Sequence, residues 1–411
     1  MKKQADFCIV MITPLLRILF ALCLLSESTY TSSQTRSQDS LKKEEFIPHG
    51  RLSGSFFGDY AFKTHADTVN GGRGSNQYSG IPKNRSMFQY RRVYIGYNYD
   101  ISPKFSAELL LASEDDIPGG DVLGDNKLAP FIKLANVRWK NVWKGTDIVF
   151  GQASSPAYSL LTEKIWGYRS VERTVSDFRR TPSYDLGITI QGHFIATNDN
   201  YGYNLMAGNG QGAKPENDLY KWLYADVYAK FFEKKLIADL YVDYNRMHWN
   251  SNWHHSRNMF KGFLAYTVPR FTVGIEAFIN TLKGDNIATA SNGTKDTIAT
   301  KAKVISVFVH GKLYKDKLGF FGRYDTYDPS GNTNNNKYIN YSPQTLQYDP
   351  ATGEHFITAG LDYAPDKNVH ILPNIWYTAY NNKGPKNFGS ANTDHDLVFR
   401  LTVQWIIAPA K

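Results

Sequence analysis

Three observations predict an all-β chain that forms a transmembrane antiparallel β-barrel of about 16 strands. Apolar and polar residues alternate in many short segments. The connections between these segments are tight turns and long polar loops in alternation, and aromatic residues gather at the segment ends. Because side chains on a strand alternate between two faces, the first pattern gives each strand one apolar face.

The alternation is plain in KLIADLYVDYN, residues 235–245, where Leu240 and Val242 share one face and Asp239 and Asp243 share the other. The apolar face could meet the core of a soluble sandwich or the lipid of a membrane. No convincing amphipathic helix and no Pro/Ser-rich linker interrupts the series. Strands are predicted near 50–63, 86–100, 103–114, 130–141, 146–152, 183–196, 200–209, 219–232, 234–247, 256–268, 270–281, 301–314, 316–328, 353–364, 367–381 and 394–407.

The connections favour the membrane. Seven are tight turns rich in residues that set turn dihedrals: ISPK, VWKG, TNDN, FEKK, TVPR, YKDK and APDK. Eight longer polar loops lie between them, whereas a soluble sandwich has no reason to sort its connections in this way. Short periplasmic turns and long extracellular loops are typical of bacterial outer-membrane barrels. A spanning sheet must close on itself, and one of this size encloses an aqueous lumen.

Aromatic residues make up 14% of the chain, and their placement predicts two interfacial girdles. The alternative is that aromatic residues are merely common in strands. Near the tight turns lie Tyr97, Tyr99, Phe105, Trp139, Trp143, Phe231, Tyr266, Phe271, Tyr314, Tyr363 and Trp405. Near the long loops lie Tyr60, Phe62, Tyr244, Phe278, Tyr324 and Tyr377. Taken with the loop lengths, this placement favours lipid.

The N-terminus predicts a cleaved signal peptide over residues 1–33. A basic start precedes the apolar run ILFALCLL and the small polar residues that follow it. Translation could also begin at Met11. Both cysteines, Cys8 and Cys23, lie inside this leader, so the mature chain would hold no disulfide. A lipoprotein interpretation of Cys23 is disfavoured because FALC lacks a small residue before the cysteine.

The remaining chain divides into a short N-terminal periplasmic segment, 34–48, and the barrel, 49–411. The formal charge of the whole chain is +9. Loss of the leader removes three basic and two acidic residues and leaves +8. Such an excess favours anionic partners, and export argues against nucleic acid.

Strand parity places both signs of charge on the inward face. The basic residues assigned to it are Arg92, Arg138, Lys230, Arg323 and Arg400. The acidic residues are Asp226, Asp239, Asp243, Asp325 and Asp362. Basic rings in a narrow pore select anions, and the planar fork of arginine suits phosphate. For each arginine, however, pairing across the wall remains an alternative to contact with a solute.

Several segments resemble the phosphate-selective porin family, the O and P porins of Gram-negative outer membranes. The resembling segments are YRRVYIGYNYDISPKFSAELLLAS (90–113), VFGQASSPAYSLLTEKIWGYRSVERTVSD (149–177), RRTPSYDLGITIQG (179–192) and YNLMAGNGQG (203–212). The second segment follows a family pattern carried here by Gly151, Gln152, Pro156, Glu163, Glu172 and Arg173. Two features depart from the family: QASSP lacks a basic residue before the proline, and IIAPAK follows Trp405 where a terminal aromatic is usual.

The resemblance implies a trimeric 16-stranded barrel whose third loop folds into the channel. That loop is predicted at 153–182, and a solvated surface loop is the alternative. If it folds inward, its basic residues join the lining. The predicted anion-binding set is then Arg92, Arg138, Lys164, Arg169, Arg173, Arg180, Lys230, Arg323 and Arg400.

The function predicted is passive diffusion of small anions, such as phosphate or polyphosphate, across the Gram-negative outer membrane. The alternatives are a general porin without selectivity and a closed barrel with an adhesion or assembly role. An enzyme such as a barrel lipase is disfavoured because the outward faces are almost wholly apolar. The predicted partners are membrane lipid, lipopolysaccharide and a homotrimer.

No cofactor, catalytic residue or metal site is predicted. The run YDTYDPSGN lacks the closing Glu of an EF-hand calcium loop. The pair His254–His255 has no Cys or carboxylate close by in the sequence.

Overall fold

A computed structural model describes residues 46–68, 76–114, 129–179, 181–249, 254–329, 338–343, 352–382 and 393–407. The predicted leader and most of the predicted periplasmic segment lie outside the described residues. The helices that the structure describes are all too short or too polar to span a bilayer.

Sixteen antiparallel strands form the barrel and confirm the sixteen predicted segments. They are β1 (His49–His65), β2 (Ser86–Asp100), β3 (Phe105–Glu114), β4 (Phe131–Trp143), β5 (Thr146–Ser154), β6 (Tyr184–His193), β7 (Tyr201–Gly208), β8 (Trp222–Phe231), β9 (Leu236–Trp249), β10 (His254–Val268), β11 (Phe271–Ala290), β12 (Lys295–Tyr314), β13 (Leu318–Asp328), β15 (Thr352–Asp366), β16 (Val369–Asn382) and β17 (Asp394–Ile407). One further strand, β14 (Tyr338–Pro343), lies outside this ring.

The barrel closes because its first and last strands pair. Strand β1 runs antiparallel to β17 from Gly54 opposite Ile407 to His65 opposite Leu397. Every other strand of the ring pairs with its neighbour in the chain, with β13 pairing β15 directly. The ring of sixteen strands therefore has no open edge, which the lipid environment requires because it cannot satisfy unpaired backbone groups.

The two faces of the wall have opposite polarity. On β17, Leu401 and Val403 point outward and are exposed, whereas Arg400 and Thr402 point inward and are buried. The same parity holds on β11, where Ile275 is outward and Glu276 inward. An apolar exterior around a polar interior is the inverse of a soluble barrel. It resolves the question raised by the strand pattern in favour of lipid.

All the aromatic residues predicted near the tight turns are exposed, as a girdle there requires. One residue of the second girdle was assigned to the wrong face. Phe278 is only 4% exposed and joins an internal apolar cluster with Ala157 and Tyr158. It has the parity of the inward Glu276, so it faces the interior rather than the head groups.

The region 282–300, predicted as a long loop, is largely strand. Strands β11 and β12 continue past the predicted ends near 281 and 301, and they reverse at 291–294. Strand β14 pairs with this extension opposite residues 286–290. Residues 282–300 are mostly polar, so a pattern based on an apolar face did not detect the strands there.

The connection after β5 runs inside the barrel. We call residues 155–183 loop L3; it contains two short helices, α1 (Thr162–Trp166) and α2 (Val175–Phe178). All ten residues of 170–179 are buried although most are polar. The predicted third loop therefore does fold inward, and the alternative of a solvated surface loop is wrong.

Candidate pore constriction

The chain turns into the lumen at the end of β5. Gly151 has φ of 120°, and a Cβ at this position would lie 2.4 Å from the carbonyl oxygen of Ala135. Only glycine adopts this conformation readily. The next residue, Gln152, donates from Nε2 to the carbonyls of Ile132 (2.7 Å) and Lys133 (2.9 Å) on β4. Gly151 thus allows the backbone to bend, and Gln152 bonds to β4 near the point where β5 ends.

The two ends of L3 are held together at its base. The amide of Ser155 donates to the carbonyl of Ser183 at 3.0 Å, and the Ser159 hydroxyl donates to the same carbonyl at 2.8 Å. The Ser155 hydroxyl also donates to the carbonyl of Pro182. These bonds make L3 a closed loop that reaches across the lumen from β5 and β6.

The tip of L3 is anchored to the opposite wall by arginines. Arg400, on β17, donates to the carbonyl of Val171 at 2.9 Å, and Arg323, on β13, donates to the carbonyl of Arg173. Between these two points, the Glu172 carboxylate accepts a bond from Trp376 on β16. Charged hydrogen bonds of this kind satisfy loop carbonyls that have no strand partner.

An apolar cluster supports the same anchor. Trp166 and Val171 of L3 pack with Phe308, Phe321 and Leu372 of the wall. The Trp166 indole also donates to the carbonyl of Glu172 at 2.7 Å, which fixes the turn between the two helices.

Both helices carry further contacts to the wall. Lys261, on β10, donates to the Thr162 hydroxyl at 3.0 Å and lies 3.3 Å from Asp239. In α2 the Ser176 hydroxyl donates to Glu276 on β11.

Just beyond α2, Arg179 makes two bonds to Glu354 on β15, at 3.2 and 2.8 Å. L3 is therefore attached to β10, β11, β13, β15, β16 and β17.

Five of the nine predicted anion-binding residues are buried or largely buried, and four of these five lie in ion pairs. Arg323 binds Asp325 at 2.5 Å, and Arg400 lies 3.7 Å from Asp59. Arg169 contacts Glu163 and Asp177, and Nε of Arg173 is 3.6 Å from Glu172. The fifth residue, Arg92, has its Nη1 3.3 Å from the Tyr94 hydroxyl. Their contact with a solute stays a prediction. Arg180 lies outside the described residues.

The other three predicted residues come together beside α1. Lys164 of α1, Arg138 of β4 and Lys230 of β8 line one cavity of about 390 Å³. Arg138 is 3.0 Å from Asp147, and Lys230 is 2.6 Å from Asp199.

Hydrogen bonds from Lys230 and Lys234 hold the pKa of Asp199 well below its usual value, so this carboxylate stays charged. Lys164 is exposed and, among the described residues, has no carboxylate within ion-pair distance. Among the residues that the structure describes, the cavity therefore holds one cation without an ion pair on the loop and two ion-paired cations on the wall.

The sequence did not identify three of the wall residues that bind L3. Lys261, Glu276 and Glu354 are inward and nearly fully buried. Parity within their strands would have placed them in the lumen, but nothing in the sequence pairs them with Thr162, Ser176 or Arg179.

No protein-family model matches the chain, and no curated protein matches it at a significant level. Solved outer-membrane porins share its fold at low sequence identity. The outer membrane channel DcaP of Acinetobacter baumannii has a TM-score of 0.56 at 12% identity, covering 88% of this chain and 97% of that one. OmpF of Salmonella typhi, solved with daunomycin, has a TM-score of 0.55 at 11% identity, covering 87% and 97%.

OprB of Pseudomonas putida is also similar, with a TM-score of 0.52 at 11% identity and coverage of 87% and 94%. Likeness at this level shows the fold, a closed 16-strand porin barrel. The Gram-negative outer membrane, predicted from the sequence, is the location that this fold and its apolar exterior fit.

Proposed function

We propose that the chain is an outer-membrane porin through which small solutes diffuse passively, with a preference for small anions such as phosphate or polyphosphate. The observation that carries the anion preference is that Lys164, which has no ion pair among the described residues, lines one cavity together with Arg138 and Lys230. An ammonium group without a carboxylate partner in a narrow, low-dielectric passage attracts anions and repels cations. The resemblance to the phosphate-selective porins supports phosphate as the solute.

The proposed partners follow from the same architecture. The exposed apolar strands contact membrane lipid, and lipopolysaccharide is the lipid expected at the loop end. A homotrimer is proposed from the family resemblance. No chemical step is needed for diffusion, so we infer a channel and not an enzyme.

Two alternatives each have an observation in their favour. A general porin without selectivity is favoured by the pairing of Arg138 with Asp147 and of Lys230 with Asp199, because compensated cations add little net field. A closed barrel with an adhesion or assembly role is favoured by the buried stretch 170–179, which fills part of the lumen.

Reversal potentials in planar bilayers under a KCl gradient test the proposal. The native protein should prefer chloride, and Lys164→Glu should lower the anion-to-cation permeability ratio roughly threefold to tenfold, or about 0.7 to 1.4 kcal/mol. Lys235→Glu is the matched control: it makes the same charge change at an exposed turn, where Lys235 pairs with Glu233, and should leave the ratio unchanged.

Each alternative has its own outcome. Equal permeability to both ions in the native protein would favour the general porin and contradict the anion preference. Absence of conductance in protein shown to be folded would favour the closed barrel and contradict the channel.

A further inference from the structure

We propose that His65, His395 and Asp394 form a binding site for a transition-metal dication such as Zn²⁺ at the loop end of the barrel. Within the residues the structure describes, these three come together so that one ligand atom from each lies within 4.8 Å of the other two. Imidazole nitrogen with one carboxylate is a donor set suited to zinc, copper and nickel, and poorly suited to magnesium or calcium.

The spacing of the donor atoms is close to what a metal requires. Asp394 Oδ1 lies 3.8 Å from Nδ1 of His65 and 3.6 Å from Nδ1 of His395. Donors bound to one tetrahedral zinc at about 2.0–2.2 Å lie about 3.2–3.6 Å apart. To bind one ion through these nitrogens, the two stacked rings must rotate apart, and Nδ1 of His65 must release the hydrogen bond that it donates to the carbonyl of His395 at 2.9 Å.

The two rings are held against each other before any ion binds. Their centroids are 3.9 Å apart and their planes differ by 6°. The ring centroid of Tyr377 lies 5.2 Å from that of His395, with the two planes tilted by 40°. The side chains of His65 and His395 remain 36% and 33% exposed, so an ion can reach them from the solvent.

The carboxylate is oriented by backbone groups. Asp394 Oδ2 accepts the amide of Thr68 at 2.8 Å, and Oδ1 accepts the amide of His395 at 2.8 Å. Neighbouring hydrogen bonds that fix a ligand in this way are usual around protein metal sites. A carboxylate has about four lone-pair sites, so Oδ1 keeps the capacity to bind a cation.

The location gives the ion a structural effect. His65 is the last residue of β1 and Asp394 the first of β17, the two strands whose pairing closes the barrel. A bound ion would join these strand ends where the first and last long loops leave the wall. It is therefore expected to raise the resistance of the barrel to unfolding.

Isothermal titration of ZnCl₂ into the chelator-treated, detergent-solubilised full barrel tests the proposal. The native protein should show one saturable event per chain. His395→Ala and Asp394→Asn should each weaken it at least tenfold. His370→Ala is the matched control, because His370 has a carboxylate partner, Asp362, at 2.8 Å. It should bind zinc like the native protein.

A second readout separates binding from misfolding. Zinc should raise the temperature at which the folded band of the native protein and of His370→Ala is lost on a gel, and it should not do so for His395→Ala. Lack of saturable binding by the native protein would overturn the proposal. So would binding that persists in both site variants, or MgCl₂ binding with equal affinity.

Discussion

The indole Nε1 of Trp376 donates a hydrogen bond at 3.1 Å to the carboxylate of Glu172, 204 positions earlier in the chain. The bond joins the tip of L3 to strand β16 on the opposite wall. Glu172 is 1% exposed, and its charged neighbours include Arg173, Arg323 and Arg400. In this structure, therefore, one loop carboxylate compensates several arginines that the sequence assigned to solute contact.

The first prediction concerns this carboxylate. Glu172→Gln keeps the shape and an acceptor for Trp376 but removes the negative charge among buried arginines. An uncompensated buried charge costs about 3–5 kcal/mol, so the free energy of unfolding should fall by about that amount. Urea unfolding followed by tryptophan fluorescence measures it.

The control is Glu233→Gln at an exposed turn, where the change should stay within about 0.5 kcal/mol. Equal stability of Glu172→Gln and native protein would show that Glu172 does not hold the loop.

The second prediction concerns Lys261, whose ammonium group lies 3.3 Å from Asp239 and 3.9 Å from Glu276. Lys261→Met leaves two buried carboxylates without their cation and should destabilise the barrel by about 3–5 kcal/mol. Adding Asp239→Asn to this variant should recover part of the loss, since it removes one of the two carboxylates.

Lys221→Met serves as the comparison, because Lys221 forms an exposed pair with Glu216 worth about 0–1 kcal/mol. If Lys261→Met were no worse than Lys221→Met, the anchor at α1 would be unimportant.

The third prediction tests which face meets lipid. Ile275 lies midway along the apolar outward stretch 271–279 of β11, and Phe271 lies at the turn end of this stretch. Arginine on the lipid face costs about 2–4 kcal/mol at the bilayer midplane and about 0–1 kcal/mol near the interface. Ile275→Arg should therefore be the more destabilising substitution in folding titrations into lipid vesicles. Equal costs at the two positions would argue against a membrane around β11.

The fourth prediction tests which side of L3 is open. Lys164 is exposed and Ser176 is buried, and both cysteines of the chain lie in the predicted leader. Lys164→Cys should react with an anionic thiol reagent at least about tenfold faster than Ser176→Cys, because the reagent needs access to the thiolate. Mass spectrometry of the folded protein measures both rates. Faster labelling of Ser176→Cys would mean that L3 is attached to the wall by its other face.

The sequence predicts the sixteen strands and their faces because both depend on local pattern. A strand such as β9 shows its period-two alternation within a few residues. Phe278 was assigned to the outer face because aromatic residues are expected in the girdles. It lies two positions from the inward Glu276, so strand parity places it in the interior. The missed strand β14 lies in a segment that the sequence analysis assigned to a long loop.

The sequence by itself determined the closed barrel, because alternating strands, sorted loops and a lipid environment leave one arrangement in which every backbone group is paired. Only the tertiary structure decided what the lumen charges do. Parity placed Arg323 and Arg400 inside, but whether each meets a loop carbonyl, a carboxylate or water depends on where L3 lies across the barrel. That placement is set by contacts between residues more than a hundred positions apart, which no local pattern records.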